Sequence, residues 1–254
     1  MMKPNDRKLV AALACRNQGS RLYGKPLQNL DVEKGISILD NIIDCLQGAA
    51  SINEILLGIS KGSDNHVYID YAENKNIRYI VGDETNVLSR LIECGEYANG
   101  TDIFRVTSES PFPSYKLIQS AWELHLKEEN DATFLDNVVD GCGFELIKLA
   151  ALETSARDGE DKHRSELCTL YIRENRDIFK VGELPPPTEL VRKDLRLTVD
   201  YPEDLILCRA IYSNHQEEAP QIDPIKIVKF IDKNIPLKEL VARYCESGYS
   251  KMYL

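Results

Sequence analysis

No two of the seven cysteines form a C-x-x-C pair. They stand at positions 15, 45, 94, 142, 168, 208 and 245, far apart and odd in number, which argues against both a zinc ribbon and a disulfide framework. Reduced thiols in a cytoplasmic protein are the expectation. Long apolar runs are missing too. The polar start MMKPNDRK leads into an apolar run of only about seven residues, against the roughly 20 a membrane span requires, and no small-residue cleavage site follows. Positive charge is in deficit, with 31 Lys and Arg against 41 Asp and Glu and a net charge of -10. The bulk field therefore repels nucleic acid and anionic membrane surfaces, and neither is an expected partner. The chain also has no internal repeat and no low-complexity tract.

What is present is an ordinary globular balance, 43% apolar and 28% charged residues over 254 positions, near the upper end for one domain. Short apolar runs alternate with longer amphipathic ones. Lys8–Ala14, Glu54–Ser60, IRYIV (77–81) and DIFRVTS (102–108) read as strands. Between and after them, SILDNIIDCLQ (37–47, with Ser37 as N-cap), 63–76, 86–99 and 114–130 read as helices. Strands alternating with helices in this way predict an α/β layered fold with a mostly parallel sheet, in which ligands sit at the carboxyl ends of strands. From about Asp136 the pattern loosens. Helices are expected over Glu145–Ser155 and Asp161–Asn175, an extended segment over GELPPPTEL, and a strand at LRLTVD (195–200) leading into the helix YPEDLILCRAIYSN. Two further helices form a tail.

Three stretches carry candidate chemistry. CRNQGSRLYGKPL places Arg16, Arg21 and Lys25 around Gly19 and Gly24, directly after the first strand. Arginine and lysine grip phosphate oxygens, and glycine lets the backbone come close to them. The P-loop pattern G-x-x-x-x-G-K-S/T is not met, because Pro26 follows Lys25. A solvated basic loop is the plain alternative. In RVTSESPFPSY the expected strand ends at Ser108 and exposes Glu109, although Ser and Glu before proline also serve as helix-start residues. In LRLTVDYPEDL, Asp200 ends a strand, or caps the next helix, and Asp204 is read as structural. Two carboxylates at two strand mouths match what Mg²⁺ takes from a protein when phosphates and water complete its shell. Together with the cations they make a nucleoside-triphosphate and Mg²⁺ site.

At these residues the chain resembles the cytidylyltransferases that activate sugars for surface polysaccharides: the CMP-3-deoxy-manno-octulosonate synthetases, the acylneuraminate cytidylyltransferases and, most of all, the spore-coat polysaccharide group. CRNQGSRLYGKPL is similar to that family's A-R…S-x-R-L-P-G-K-x-L loop, and LRLTVDYPEDL to its R-x-T-V-D-T-P-E-D-L segment. GDETNVLSRLIECGEYANGTDIFRVTSESPF, GFELIKLAALETS and HRSELCTLYI are similar to softer motifs, in the same order, over about Leu9–Tyr212. The resemblance implies a three-layer α/β/α nucleotide-diphosphosugar transferase-like fold with a mostly parallel mixed sheet, filling residues 1–254 as one domain. An acceptor-binding and dimerisation region would lie at about 136–195, with a helical tail at about 222–254. It implies CTP as donor, Mg²⁺ as cofactor, a small-molecule acceptor and a homodimer. Arg16, Arg21 and Lys25 match the phosphate-binding, catalytic cations, and Glu109 and Asp200 the metal carboxylates. Ala14, Gly19, Ser20, Gly82, Asn86 and Ser108 complete the nucleotide set, while Glu145, His163, Arg164 and Glu166 would meet the acceptor. Departures from the pattern are Glu109 and Asn86 for Asp, Ser108 for Gly, Tyr23 for Pro and Gly19 for Ser. The expected activity is transfer of CMP from CTP to a sugar or sugar acid with release of pyrophosphate. The alternatives are a phosphate- or phosphonate-bearing acceptor, a sugar-nucleotide-dependent glycosyltransferase of the same fold, for which an Asp-x-Asp motif is missing, and a non-catalytic nucleotide binder.

Overall fold

A computed structural model of the chain describes residues 6–19 and 21–252. In chain order the elements are β1 Leu9–Cys15, β2 Asn29–Asp31, β3 Ile36–Ser37, α1 Ile38–Gln47, β4 Glu54–Ser60, α2 His66–Lys75, β5 Arg78–Gly82, α3 Val87–Tyr97 and β6 Asp102–Arg105. They continue with α4 Ile118–Lys127, β7 Ala132–Phe134, β8 Glu145–Lys148, α5 Leu149–Asp158, α6 Leu170–Glu174, β9 Val181–Glu183, α7 Pro202–Asn214, α8 Pro224–Lys233 and α9 Ile235–Met252. Seven strands form one sheet in the order β5-β4-β1-β6-β8-β7-β9. All run parallel except β8, which lies antiparallel between β6 and β7.

The uncharged sequence of β1 explains its central place. Leu9, Ala11, Leu13 and Cys15 enter the core on one face, and Val10 and Ala12 the core on the other. A strand apolar on both sides needs helices on both sides. The first core is closed by residues of α1, α2, α4, α7 and α8, and the second by α3, α5 and α6. This is the expected three-layer α/β/α arrangement. Ser37 caps α1 in a reciprocal box, its Oγ accepting from the Asp40 amide at 3.0 Å while Asp40 Oδ2 accepts from the Ser37 amide at 2.9 Å. Between β1 and β6 the direction of strand order reverses, and the loops leaving their carboxyl ends splay apart there.

Several expectations need correction. Glu145–Lys148 is a strand and the helix begins at Leu149; four residues with an apolar centre fit either period. The expected helix over 161–175 is one tight turn at Asp161–His163 and a short helix from Leu170. Strand β6 stops at Arg105, so Ser108 and Glu109 lie in the loop beyond it. LRLTVD is no strand of the sheet; its contact of that kind is a single parallel bridge between Arg196 and Asp140. Strand β7 and the β2–β3 hairpin were not anticipated, and β9 forms where the proline-rich segment begins. Among the described residues no helix is long and apolar enough to cross a membrane.

At the start of β6, Asp102 is fully buried and accepts from Arg7 Nε at 2.6 Å and Thr101 Oγ1 at 2.7 Å, with His125 Nε2 of α4 at 3.0 Å. His125 Nδ1 in turn meets Thr133 Oγ1 of β7 at 2.9 Å. The cluster joins β6, α4 and β7, and Asp102 lies at the amino end of β6, away from the site. Removing the carboxylate leaves Arg7 and His125 facing a buried void. Asp102→Ala should therefore lower the unfolding free energy by about 3–5 kcal/mol in chemical denaturation; a loss below about 1 kcal/mol would contradict this anchoring role.

Candidate functional site

The loop after β1 is shaped before any ligand arrives. The Asn17 amide donates to Asn65 Oδ1 at 2.7 Å, the Tyr68 hydroxyl to the Arg16 carbonyl at 3.2 Å, and the Gly24 amide to the Asn17 carbonyl at 3.0 Å. Gly24 takes the left-handed conformation at φ 58°, which suits glycine. Gly19 is required for another reason: a Cβ there would lie 2.4 Å from the Leu22 carbonyl oxygen. The loop thus excludes the serine that the resembled pattern carries at this point. Ser20 lies outside the described residues.

This loop projects its cations over Asp200. Lys25 Nζ donates to Asp200 Oδ1 at 2.6 Å, and Arg21 Nη2 stands 3.3 Å from the same oxygen. Arg196 Nη2 donates to the other oxygen at 2.9 Å. Burial works against the Asp200 charge, but the hydrogen bond from Lys25 and the charges of Lys25, Arg21 and Arg196 outweigh it and hold the carboxyl below its usual range. Asp204 is structural, as its place in the sequence suggested. Its Oδ2 accepts from the amides of Asp200 and Tyr201 at 2.9 Å each, capping α7. The cap is therefore not Asp200, whose carboxylate stays turned to the cations.

Glu109 has the opposite environment. It lies in the loop after β6, and its carbonyl accepts from the Val199 amide at 3.0 Å, which ties the loop to the segment bearing Asp200. Burial raises its carboxyl above the usual range; Lys25 opposes that shift, and the like charges of Asp200 and Glu166 add to it. Among the described residues no cation forms an ion pair with Glu109. Ser108 is buried, and its hydroxyl donates to the Ala14 carbonyl at 2.7 Å, bolting the end of β1 to the β6 loop. No three metal-ligating side chains cluster among the described residues, so a cation here would draw on a small set of carboxylates.

These groups line a single cavity of about 860 Å³. Ala14, Arg16, Gly19, Arg21, Lys25, Ser108, Glu109, Glu145, Glu166 and Asp200, all expected from sequence, stand on its wall. Four expected residues do not. Asn86 caps α3 by accepting from the Ser89 amide at 2.9 Å. Gly82 lies behind the wall, where a Cβ would be 2.7 Å from Arg90 Cγ. His163 is buried, accepting from the Glu160 amide at 2.8 Å and pairing with Glu174 at 2.9 Å. Arg164 pairs with Asp161 at 3.0 Å.

Sequence reasoning missed more wall residues than it found. Arg90 reaches from α3 to the carbonyls of Cys15 and Gly58 at 3.2 and 2.9 Å. No carboxylate pairs with it among the described residues, and its Nε has no hydrogen-bond partner. Across the cavity, Glu145 accepts from Arg105 at 2.6 Å, Arg173 at 2.8 Å and Thr169 at 2.7 Å, and Arg173 also holds Asp136 at 2.6 Å. Burial opposes the Glu145 charge, yet the two arginines push its carboxyl down to about 2. Arg16 pairs with Glu166. Arg196 and Asp140 close the floor. Gly141, at φ +91°, lets that chain pass so close to Leu197 and Thr198 that a Cβ would lie 2.5 Å from the Thr198 nitrogen. The one available signal was position: Arg105 ends a strand, and Arg196 precedes Asp200 by one helical turn's worth of chain.

No family model matches the chain. It is 26% identical to an uncharacterized protein of Methanocaldococcus jannaschii, over 96% of this chain and 99% of that one. It is 23% identical to the spore coat polysaccharide biosynthesis protein SpsF of Bacillus subtilis, over 89% and 95%. In fold it is similar to a cytidylyltransferase from Leptospira borgpetersenii, with a TM-score of 0.82 at 18% identity, covering 91% of this chain and 96% of that one. A CMP:2-keto-3-deoxy-manno-octonic acid synthetase solved with CTP matches at 0.61 and 14%, covering 82% and 99%. The fold is the one the sequence resemblance implied.

Asp140, 2% exposed, has a carboxyl pushed up to about 6, by burial first, with Arg196 opposing and Asp200, Asp204 and Glu109 reinforcing. The folded state therefore binds a proton more tightly than the unfolded chain, and stability contributed by this group falls as pH rises from about 4 to about 6. Asp140→Asn removes that titration. The stability of the variant relative to the parent should climb across this window in denaturation at stepped pH; a flat difference would contradict the assignment.

Proposed function

We propose that the protein is a nucleotidyltransferase that moves CMP from CTP to a hydroxyl of a sugar or sugar-acid acceptor and releases pyrophosphate. The observation that carries this reading is the meeting, at the mouths of β1 and β6, of a three-cation loop with Asp200 and the unpaired carboxylate Glu109. The similarity to SpsF and to a synthetase solved with CTP supports the choice of chemistry and nucleotide.

In this reading Lys25 and Arg21 rest on Asp200 until a triphosphate competes for them. With Arg16 they then hold the β- and γ-phosphates and neutralise the charge that collects on the leaving pyrophosphate. The acceptor oxygen bonds to the α-phosphorus as the bridge to the β-phosphate breaks, pyrophosphate leaves, and the hydroxyl proton passes to solvent. Positioning and charge neutralisation supply most of the rate in such a transfer. Release of Asp200 from Lys25 leaves two carboxylates, Asp200 and Glu109, that fit a divalent cation. Burial is the main reason the Glu109 carboxyl is raised, and a divalent cation beside it would favour its charged form again. Mg²⁺ held there would neutralise the triphosphate and polarise the α-phosphate. Arg90, buried beside the nucleotide half of the cavity and with no carboxylate partner among the described residues, offers donors to the acceptor atoms of a pyrimidine edge. Gly82 then serves by making room for it.

The acceptor falls to the half lined by Arg105, Asp136, Glu145 and Arg173. A homodimer belongs to the same reading, although the apolar residues of 145–175 that suggested it, such as Leu152 and Ile172, are buried inside the chain.

Lys25→Ala should cut pyrophosphate release by about 100-fold or more, with little change in melting temperature, because Arg21 and Arg196 still hold Asp200. Release of nucleoside diphosphate instead of pyrophosphate would favour a glycosyltransferase, and unchanged turnover in the variant would overturn the role given to the loop.

A further inference from the structure

The last helix looks in sequence like an appended tail, but one of its residues reaches both charged partners of the site. The ring of Tyr244 stacks on that of Tyr201, with centroids 3.8 Å apart and planes 9° from parallel. The Tyr201 hydroxyl accepts from Arg21 Nη1 at 3.3 Å, and the Arg21 guanidinium carbon lies 5.0 Å from the Tyr201 ring. The main chain of Tyr244 acts on the other partner. Its carbonyl accepts from Arg196 Nη1 at 3.1 Å, and Arg196 Nη2 donates to Asp200 Oδ2 at 2.9 Å. The Tyr244 hydroxyl donates to Glu203 Oε1 at 3.1 Å, on the first turn of α7, and Arg243 pairs with the same carboxylate.

Resting on the phosphate-loop reading above, we propose that Tyr244 is a positioning residue that fixes Arg21 and Asp200 relative to each other, so that helix α9 is a working part of the triphosphate site. The two routes are independent, one through a side-chain stack and one through a backbone carbonyl, and they end on the cation and the carboxylate that face each other at 3.3 Å. Arg196 is a rigid link, because it is 1% exposed and held by Asp200, by Asp204 at 3.0 Å and by the Tyr244 carbonyl. Tyr201 is rigid because the Tyr244 ring covers one of its faces. Tyr244 does not line the cavity; it acts through its neighbours. Its loss should be felt where phosphates bind and not where the nucleoside binds, on the far side of the cavity floor near Arg90.

The test compares three ligands by titration calorimetry on the full chain with Mg²⁺: CTP, inorganic triphosphate and cytidine. Tyr244→Ala should weaken CTP and inorganic triphosphate by about tenfold or more, leave cytidine within about twofold, and raise the KM for CTP more than it lowers kcat. Tyr244→Phe, which keeps the stack, should restore most of the phosphate affinity. Equal weakening of all three ligands, or no weakening of any, would overturn the positioning role. If Tyr244→Ala does not fold, Tyr201→Phe keeps the stack and deletes the bond to Arg21; it should weaken inorganic triphosphate and spare cytidine, and parity between the two would overturn the proposal. A parent chain that binds neither CTP nor inorganic triphosphate would instead refute the phosphate-loop reading itself.

Discussion

A fully buried guanidinium is the constraint on which the site rests. Arg196 is enclosed by Asp200, Asp204 and, at 3.9 Å, Asp140. Taking so many charges out of water is costly, and a buried arginine that lost one of its carboxylates would be strongly destabilised. The segment 195–200 is therefore held by ionic and backbone contacts in a place where the sheet itself provides only one bridge. That fixes Asp200 at the edge of the cavity with one oxygen turned inward to Arg196 and the other outward to Lys25 and Arg21. The outward oxygen meets the loop after β1, and the Asp204 cap sets where α7 begins. Phosphate loop, carboxylate and C-terminal helix all take their positions from this one cluster.

The two halves of the cavity are built on different electrostatic terms. In the half around the β1 loop, cations outnumber their partners: Lys25 and Arg21 share Asp200, and Arg90 has no carboxylate at all among the described residues. In the half around Glu145 the charges are closed on themselves, with Arg105 and Arg173 both held by Glu145 and Arg173 also by Asp136. A polyanion entering the first half finds donors that improve their pairing by moving to it. A ligand entering the second meets a rigid, already satisfied network, which suits recognition by shape and by neutral hydrogen bonds.

Much of the wall around the β1 loop and Asp200 was legible in the sequence, because its residues lie in short, contiguous stretches. CRNQGSRLYGKPL and LRLTVDYPEDL carry their cations and carboxylates at spacings that chemistry constrains, and β1 declares itself by an uncharged run. Of the half around Glu145, the sequence named Glu145 and Glu166 but none of the partners of Glu145, for physical reasons. Glu145 sits on a four-residue strand whose pattern fits a helix as well, and its partners Arg105, Asp136 and Arg173 come from three separate elements or loops brought together by antiparallel pairing of β8 with β6 and β7. His163 was a candidate as an imidazole beside a basic residue, yet its ring is taken up by a local turn and by Glu174. Arg90 was hidden inside an amphipathic helix, where a buried arginine looks like an exposed one. Tyr244 lies too far along the chain for any motif to reach it.

The β1 loop, Asp200 and Glu109 are proposed to form a metal-assisted site for CTP. The most direct measurement is the thermal shift of the full chain with CTP, UTP, GTP, ATP and dTTP, each with and without Mg²⁺. Such a site predicts a rise in melting temperature with CTP that depends on the metal, and a much smaller rise with the other four. Absence of a rise with any nucleotide, in the presence of the metal, would contradict it.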